Sequence, residues 1–334
     1  MTVIMMEGFE SAGYTYLAAK GWSGYTYDQQ PGRLGGKSML GNQTGFPKHS
    51  FPGGAAYDTL ICGFGWAANW GADPGPVVRF LSNGSAVASV GTTTAGSNVV
   101  FYLMNAAGNW VAQGSTPYVS STWVYIELKV FRSATVGTLE LRLNGSLTAE
   151  CSATGLNLGA WSINAIGWQQ WNGRNEWLDD VYVLDPTTGS APTNDWLGEC
   201  RVETLFPNGN GANTAWTGTY ADVDEPNSPD GDTTYIYSNT PGQIETDTFT
   251  DLSVTTGTVF AVQTHIVARK DDAGLRTIAP VMRVGGVDYV GTTSPALPTG
   301  YTGVTQLYDR VDPSGADWTV ATANAIEAGV KEVG

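Results

Sequence analysis

An all-β chain, folded as two β-sandwich or jelly-roll domains with one short helix near the C-terminus, is the architecture the sequence predicts. Three observations predict it. Apolar residues alternate with period two in many short runs, turn-forming residues separate those runs, and the composition combines 43 Gly with 12 Trp and 15 Tyr. Aromatic and β-branched residues suit a pleated, half-buried surface, and glycine supplies the tight turns between strands. A length of 334 residues exceeds one small sandwich and suits two domains. The apolar fraction of 42% is enough for packed cores although only 14% of residues are charged.

The first half carries the clearest strands. Over residues 123–131, Val124, Ile126, Leu128 and Val130 share one face, while Trp123, Tyr125, Glu127, Lys129 and Phe131 share the other. Over 138–143, leucines alternate with Glu140 and Arg142, and Asn144-Gly145 follows at once. That dipeptide suits a type I′ turn, with 146–149 expected as the returning strand. Further strands are expected at 59–66, 77–81, 86–90, 99–105 and 177–184. Turn signals about every eight to twelve residues point to a sandwich or jelly roll. The turn-rich segment 185–194 reads as the boundary, giving domains at 1–190 and 195–334.

In the second half, 233–238, 257–269 and 276–284 read as strands, and Gly285-Gly286 as a hairpin turn into 287–290. Residues 320–328 are the best helix candidate, with Thr319 as cap and Gly329 as its end. No repeat of solenoid or propeller length is evident.

Sixteen basic residues stand against 31 acidic ones, a net charge of −15. Such a surface repels nucleic acid and anionic lipid, so neither is an expected partner. No apolar run is long enough to span a membrane. The start, Met1 to Glu10, lacks the basic flank and apolar core of a signal peptide, so the chain is expected to stay in a cytoplasm until released. Three cysteines, Cys62, Cys151 and Cys200, are odd in number and widely spaced. They read as reduced fillers rather than as a disulfide framework or zinc site.

Several segments resemble known proteins. Glu7-Gly-Phe-Glu10, Gly32-Arg-Leu-Gly-Gly-Lys-Ser38, the 123–131 strand, the Leu143-Asn-Gly turn and Leu178-Asp-Asp-Val-Tyr-Val-Leu-Asp185 resemble concanavalin A-like, laminin-G-like jelly rolls over about residues 1–190. The layout is similar to two-domain bacteriophage virion proteins, whose second domain carries motifs like Asn194-Asp-Trp-Leu-Gly-Glu-Cys-Arg-Val-Glu203, Ala268-Arg-Lys-Asp-Asp272 and Trp318-Thr319. The resemblance implies a structural role on a tail or capsid surface.

Candidate chemistry is sparse. Jelly-roll glucanases place carboxylates as Glu-x-Asp-x-Glu on one strand face, roughly 5 to 9 Å apart. Glu127 and Glu140 do not fit and read as solvent-facing ion-pairing positions; Glu176, Asp179 and Asp180 have the wrong spacing. His49 and His265 fall in different domains, and no Gly-x-Ser-x-Gly elbow occurs. Gly36-Lys-Ser38 lacks the Gly five residues earlier that a phosphate loop needs, since Pro31 stands there. Trp161, Trp168, Trp171 and Trp177, with Asn172, Arg174 and Asn175, read either as a glycan platform or as packing and subunit contact. Asp222, Asp224, Asp230 and Asp232 read either as Ca2+ ligands or as a solvated acidic loop, without the spacing of a calcium-binding helix-loop-helix.

The expected function is therefore a non-enzymatic bacteriophage virion structural protein. It would assemble in multiple copies with other virion proteins, anchored by residues 195–334, with the first domain facing host-surface glycans. A free-standing glycan-binding lectin is the alternative, and a glycan hydrolase a third reading.

Overall fold

The computed structural model describes residues 2–10, 17–18, 20–24, 28–41, 46–69, 75–169, 175–226, 229–311 and 315–334. The chain divides into two compact units, Met1–Phe9 with Gly21–Val202, and Glu10–Lys20 with Glu203–Gly334.

Among the described residues the first unit holds fifteen strands. They are β1 (Val3–Glu7), β2 (Trp22–Ser23), β3 (Asp28–Pro31), β4 (Lys37–Gly41), β5 (Lys48–Ser50), β6 (Thr59–Ala68), β7 (Gly75–Ser82) and β8 (Ser85–Ala95), then β9 (Asn98–Met104), β10 (Trp110–Gln113), β11 (Val124–Phe131), β12 (Gly137–Leu143), β13 (Cys151–Leu156), β14 (Ala165–Trp168) and β15 (Glu176–Leu184). Eight form a sheet in the order β13-β12-β11-β6-β15-β4-β3, with β1 also on β15; seven form the second, β10-β9-β8-β7-β14-β5-β2. The expected alternation is what packs them. Leu60, Cys62, Phe64 and Trp66 point from β6 to the other sheet, where Phe64 meets Trp168 at 5.8 Å between ring centroids and Trp66 meets Phe101 at 6.0 Å. Val124, Ile126, Leu128 and Val130 face the same core.

The opposite face of the eight-stranded sheet is covered as well. Ile61, Tyr125, Tyr182 and Leu184 cluster there against Trp196, Leu197 and Cys200. Residues 194–202 thus form a strap over this face and belong to the first unit, so the expected boundary at 185–194 lies inside a folded body. Thr193 is buried there, accepting a 2.6 Å hydrogen bond from the Thr2 hydroxyl. Glycines make room for the strap's partners: a Cβ on Gly63 would lie 2.1 Å from the Tyr182 ring, and one on Gly65 would lie 2.8 Å from Arg33 Cδ.

Glu127 is not solvent-facing. It is buried beneath the strap, accepting hydrogen bonds from the Tyr182 hydroxyl and the Gly198 N–H, and burial raises its pKa. Arg33 lies over the Tyr125 ring, pairs with Asp180 at 2.8 Å and with Glu199, and donates to the Cys200 carbonyl. Asp179 accepts from the Arg33 N–H at 2.7 Å, and burial raises the pKa of both Asp179 and Asp180. Asp180 has φ +52 at a register shift in β15, a conformation that Asp tolerates better than most residues. Glu140 does pair with Arg142, at 2.8 Å.

Asn144 and Gly145 both adopt positive φ, 50 and 68, and Ser146 N–H bonds to the Leu143 carbonyl at 3.0 Å. The turn is as expected, but the returning strand starts at Cys151 rather than 146, because 146–150 first wrap as a loop. All three cysteines are free, Cys62 in the core.

The second unit is a smaller sandwich. A five-stranded sheet, β16 (Pro207–Thr214), β17 (Ile244–Phe249), β22 (Glu327–Glu332), β19 (Ile278–Val284) and β20 (Val287–Val290), packs on a ribbon of β18 (Val262–Ala268) and β21 (Thr302–Tyr308). Met282, Val311, Trp318, Ala323, Ile326 and Ala328 form one core cluster, and Ile278, Leu297 and Val330 another. Gly285 and Gly286 turn β19 into β20 with φ 58 and 84. Thr319 caps the helix in a capping box with Thr322, but the helix is only Val320–Asn324. Of the residues expected to continue it, Ala325 ends the helix and Glu327 and Ala328 already belong to β22. Gly329 sits within that strand, where a Cβ would lie 1.9 Å from the Glu245 carbonyl. Residues 233–238 are not a strand; Tyr237 makes only an isolated bridge to Thr217. Among the described residues no helix is long and apolar enough to cross a membrane.

Two substitutions test this packing. Gly63→Ala should drive a methyl into the Tyr182 ring and lower stability in urea unfolding by about 1–3 kcal/mol. Gly145→Val should cost about 1–2 kcal/mol, because a β-branched residue resists positive φ. Unchanged unfolding midpoints would contradict the strap packing and the turn, respectively.

Candidate functional site

The expected tryptophan cluster separates in the structure. Trp168 is only 3% exposed and faces the inter-sheet core, its ring 5.3 Å from Trp22. Its register explains this: Trp168 pairs with core-facing Val78 on β7. Trp177 is half-buried on the strap side of β15, paired with Leu40 and Ala67. Trp171, Asn172 and Arg174 lie outside the described residues. Asn175 donates its N–H to Asn69 Oδ1 at 3.1 Å.

Trp161 behaves differently, at 75% exposure. It stands at the tip of the loop between β13 and β14, and the loop is tied down on both sides. Leu158 and Ile163 are fully buried anchors. Ile163 exchanges two 2.8 Å backbone hydrogen bonds with Tyr57, and Leu158 N–H bonds to the Ser133 carbonyl at 2.8 Å. Arg132 donates to the carbonyls of Gly159 at 3.5 Å and Ala160 at 3.2 Å, and its Nε donates to Asp58 Oδ1 at 3.0 Å. Ser162 Oγ donates to the same Asp58 oxygen at 2.7 Å. Hydrogen bonds from Arg132 and then Ser162 hold the Asp58 carboxyl below the usual carboxylate range. The result is an exposed indole on a tied-down loop, next in sequence to Ser162, which bonds the Asp58 carboxylate. Asp58 Oδ2 has no hydrogen bond among the described residues, so it remains an acceptor for a ligand hydroxyl.

The acidic loop does not converge. Asp222 accepts from Thr219 N–H at 2.8 Å, Asp230 accepts from Thr234, and Asp232 pairs with Arg269 and accepts from the Tyr301 hydroxyl. Asp224 is exposed. Each of these three carboxylates serves its own turn or ion pair, and among the described residues no group of three or more His, Cys, Asp or Glu side chains is placed to hold a metal ion.

His49 is buried against Trp22, and His265 Nδ1 lies 2.7 Å from the Thr305 hydroxyl. Burial, and then Lys20, push the His265 pKa well below the ordinary value.

Two features escaped the sequence reading. One is Trp110, 53% exposed on β10 and stacked on Tyr102 at 4.5 Å and 30°. The other is Glu245-Thr-Asp247 on β17, whose period of two sets both carboxylates on the core-facing side of the sheet. Glu245 accepts from the Trp216 N–H at 2.9 Å. Asp247 is 6% exposed, and its Oδ1 has no hydrogen bond among the described residues. Burial, and then the neighbouring Glu245, raise its pKa to about 7.

The first unit is an antiparallel two-sheet β-sandwich of the jelly-roll kind. No family model matches the sequence, and no curated protein matches it. Solved structures similar to it include domain 4 of AbnA, a GH43 extracellular arabinanase from Geobacillus stearothermophilus, in complex with arabinotriose (10% identity, 55% of this chain and 92% of that one, TM-score 0.38). Lectin II from Ulex europaeus is similar at 9% identity, 54% and 97% coverage and TM-score 0.35. A heptameric SAP-like pentraxin from Limulus polyphemus is similar at 11% identity, 49% and 76% coverage and TM-score 0.31.

Asp247 gives a testable pH dependence. Its folded pKa is raised, so the folded chain holds a proton that the unfolded chain releases near pH 4. Its contribution should therefore fall as pH rises from about 4 to about 7 and level off above that. Asp247→Asn should flatten this slope and stabilise the chain at pH 8 by about 1–3 kcal/mol, measured by urea unfolding across pH. An unchanged slope would contradict the assignment.

Proposed function

We propose that the first unit is a non-enzymatic glycan-binding module that reads sugar rings with Trp161. The carrying observation is the exposed indole on a loop tied down by hydrogen bonds of Leu158, Gly159, Ala160, Ser162 and Ile163. A pyranose ring presents an apolar face to stack on such a surface and hydroxyls to bond beside it. Asp58 Oδ2 supplies the acceptor. Because the loop is held by Arg132, Leu158 and Ile163, binding has little ordering cost to overcome.

Catalysis is a weaker reading. A retaining or inverting hydrolase needs two carboxylates that straddle an accessible bond. Glu245 and Asp247 are the pair with the right chemistry, and they are 2% and 6% exposed on the core side of the second unit. The virion role remains a second reading, supported by the sequence resemblance of residues 268–272 and 318–319. In the structure, Trp318 is a buried core residue and Thr319 a helix cap, so these motifs serve the fold of the second unit.

The test is an array of immobilised oligosaccharides probed with the purified chain and with Trp161→Ala. The wild type should bind at least one neutral glycan. Trp161→Ala should lose that binding at least about tenfold, a loss of roughly 1.4 kcal/mol, with its melting temperature unchanged. Binding that survives the substitution, or cleavage of the glycan, would overturn this reading.

A further inference from the structure

The seven-stranded sheet has a second surface with a different chemistry. Antiparallel pairing places directly opposed residues on one face. Following the register, Lys48 on β5, Gly167 on β14, Arg79 on β7, Ser89 on β8, Met104 on β9 and Trp110 on β10 make one continuous rung. The next residues on β14 and β7, Trp168 and Val78, are buried in the inter-sheet core, so the rung lies on the outer face. Gly167 leaves space for the Phe46 ring, since a Cβ there would lie 2.8 Å from it. Arg79 packs over that ring at 5.2 Å, and Tyr102 lies on the same face under Trp110.

The charge on this sheet is unusual for the chain. The protein has 31 Asp and Glu, yet none falls in any of these seven strands. Lys48 and Arg79 stand on one rung, two strands and about 10 Å apart. Neither has a carboxylate or carbonyl partner among the described residues. Elsewhere Arg33, Arg132, Arg142, Arg269, Arg276, Arg283 and Arg310 all pair with carboxylates. A half-buried guanidinium without a counter-ion is costly, and burial lowers the Arg79 pKa.

We infer that this face is a second binding site, for a carboxylate-bearing saccharide. Arg79 would take the carboxylate through its planar donor fork, with Lys48 adding charge, while the exposed Trp110 ring stacks on a neighbouring sugar. A carboxylate on the ligand supplies the counter-ion that the sheet lacks. Nucleic acid fits less well, because two cations on a chain of net charge −15 do not offset a phosphate backbone. The site extends the glycan-binding reading to a different surface and does not use Trp161.

The experiment is calorimetric titration of the full chain with trigalacturonate, with its fully methyl-esterified form, with the sialyllactose and lactose pair, and with a ten-residue oligothymidylate. At least one acidic sugar should bind and its neutral counterpart should not, with affinity falling as salt rises. Arg79→Met should weaken binding on the order of tenfold to a hundredfold, and Trp110→Ala and Lys48→Met should each weaken it. Circular dichroism of each variant checks its fold, and the independent Lys48→Met keeps the test intact should Arg79→Met unfold. Trp161→Ala should bind the acidic sugar normally, which separates this site from the first. Equal binding of the ester, no binding of either acidic sugar, or comparable binding of the oligothymidylate would overturn the inference.

Discussion

The first unit depends on how the outer face of its eight-stranded sheet is closed. Two missing side chains, at Gly63 and Gly65, leave a trough on that face, and Tyr182 and Arg33 fill it. Residues 194–202 then lie across it, bringing apolar cover from Trp196 and Leu197. The same closure buries Glu127, Asp179 and Asp180, which would be costly without partners. Arg33, the Tyr182 hydroxyl and strap N–H groups supply those partners. Removing one member would leave charge stranded in the dry layer, so the strap and the sheet stand together. The consequence is spatial: residues 194–202 cover this part of the sheet face with the protein's own chain, and the binding proposed above is assigned to the Trp161 loop and the other sheet.

Much of this was legible in the sequence. Alternation assigned Val124, Ile126, Leu128 and Val130 to one side of β11, and the structure buries them between the sheets. Asn144-Gly145 announced its turn by the conformations that only such residues adopt readily. Other features needed partners from far along the chain. Alternation put Glu127 opposite the core side but could not show that residues 194–202 cover that side. The segment 325–328 looks helical from its alanines, yet Glu327–Glu332 becomes the strand between β17 and β19. Pairing on both edges outweighs a weak local preference.

The candidate sites show the same limit. Trp161 and Trp168 are close in sequence and belong to one candidate cluster, but one tips a loop and the other faces the core. Exposure separated them, and exposure follows from register rather than from spacing. Arg79, Lys48 and Trp110 are scattered over more than sixty positions, and only strand pairing places them on one rung. The absence of acidic residues from seven strands was visible in the sequence, but its meaning required knowing that those strands share a sheet.

The central claim is that the exposed indole of Trp161 meets sugar. The most direct measurement is a two-dimensional nitrogen–proton spectrum of the tryptophan indole N–H groups, titrated with arabinotriose, xylotriose, cellotriose and maltotriose. The account predicts that at least one of these trisaccharides shifts the Trp161 resonance saturably while those of the buried Trp22, Trp66 and Trp168 stay in place. Titrations in which Trp161 never moves, or in which the buried indoles move with it, would contradict the account.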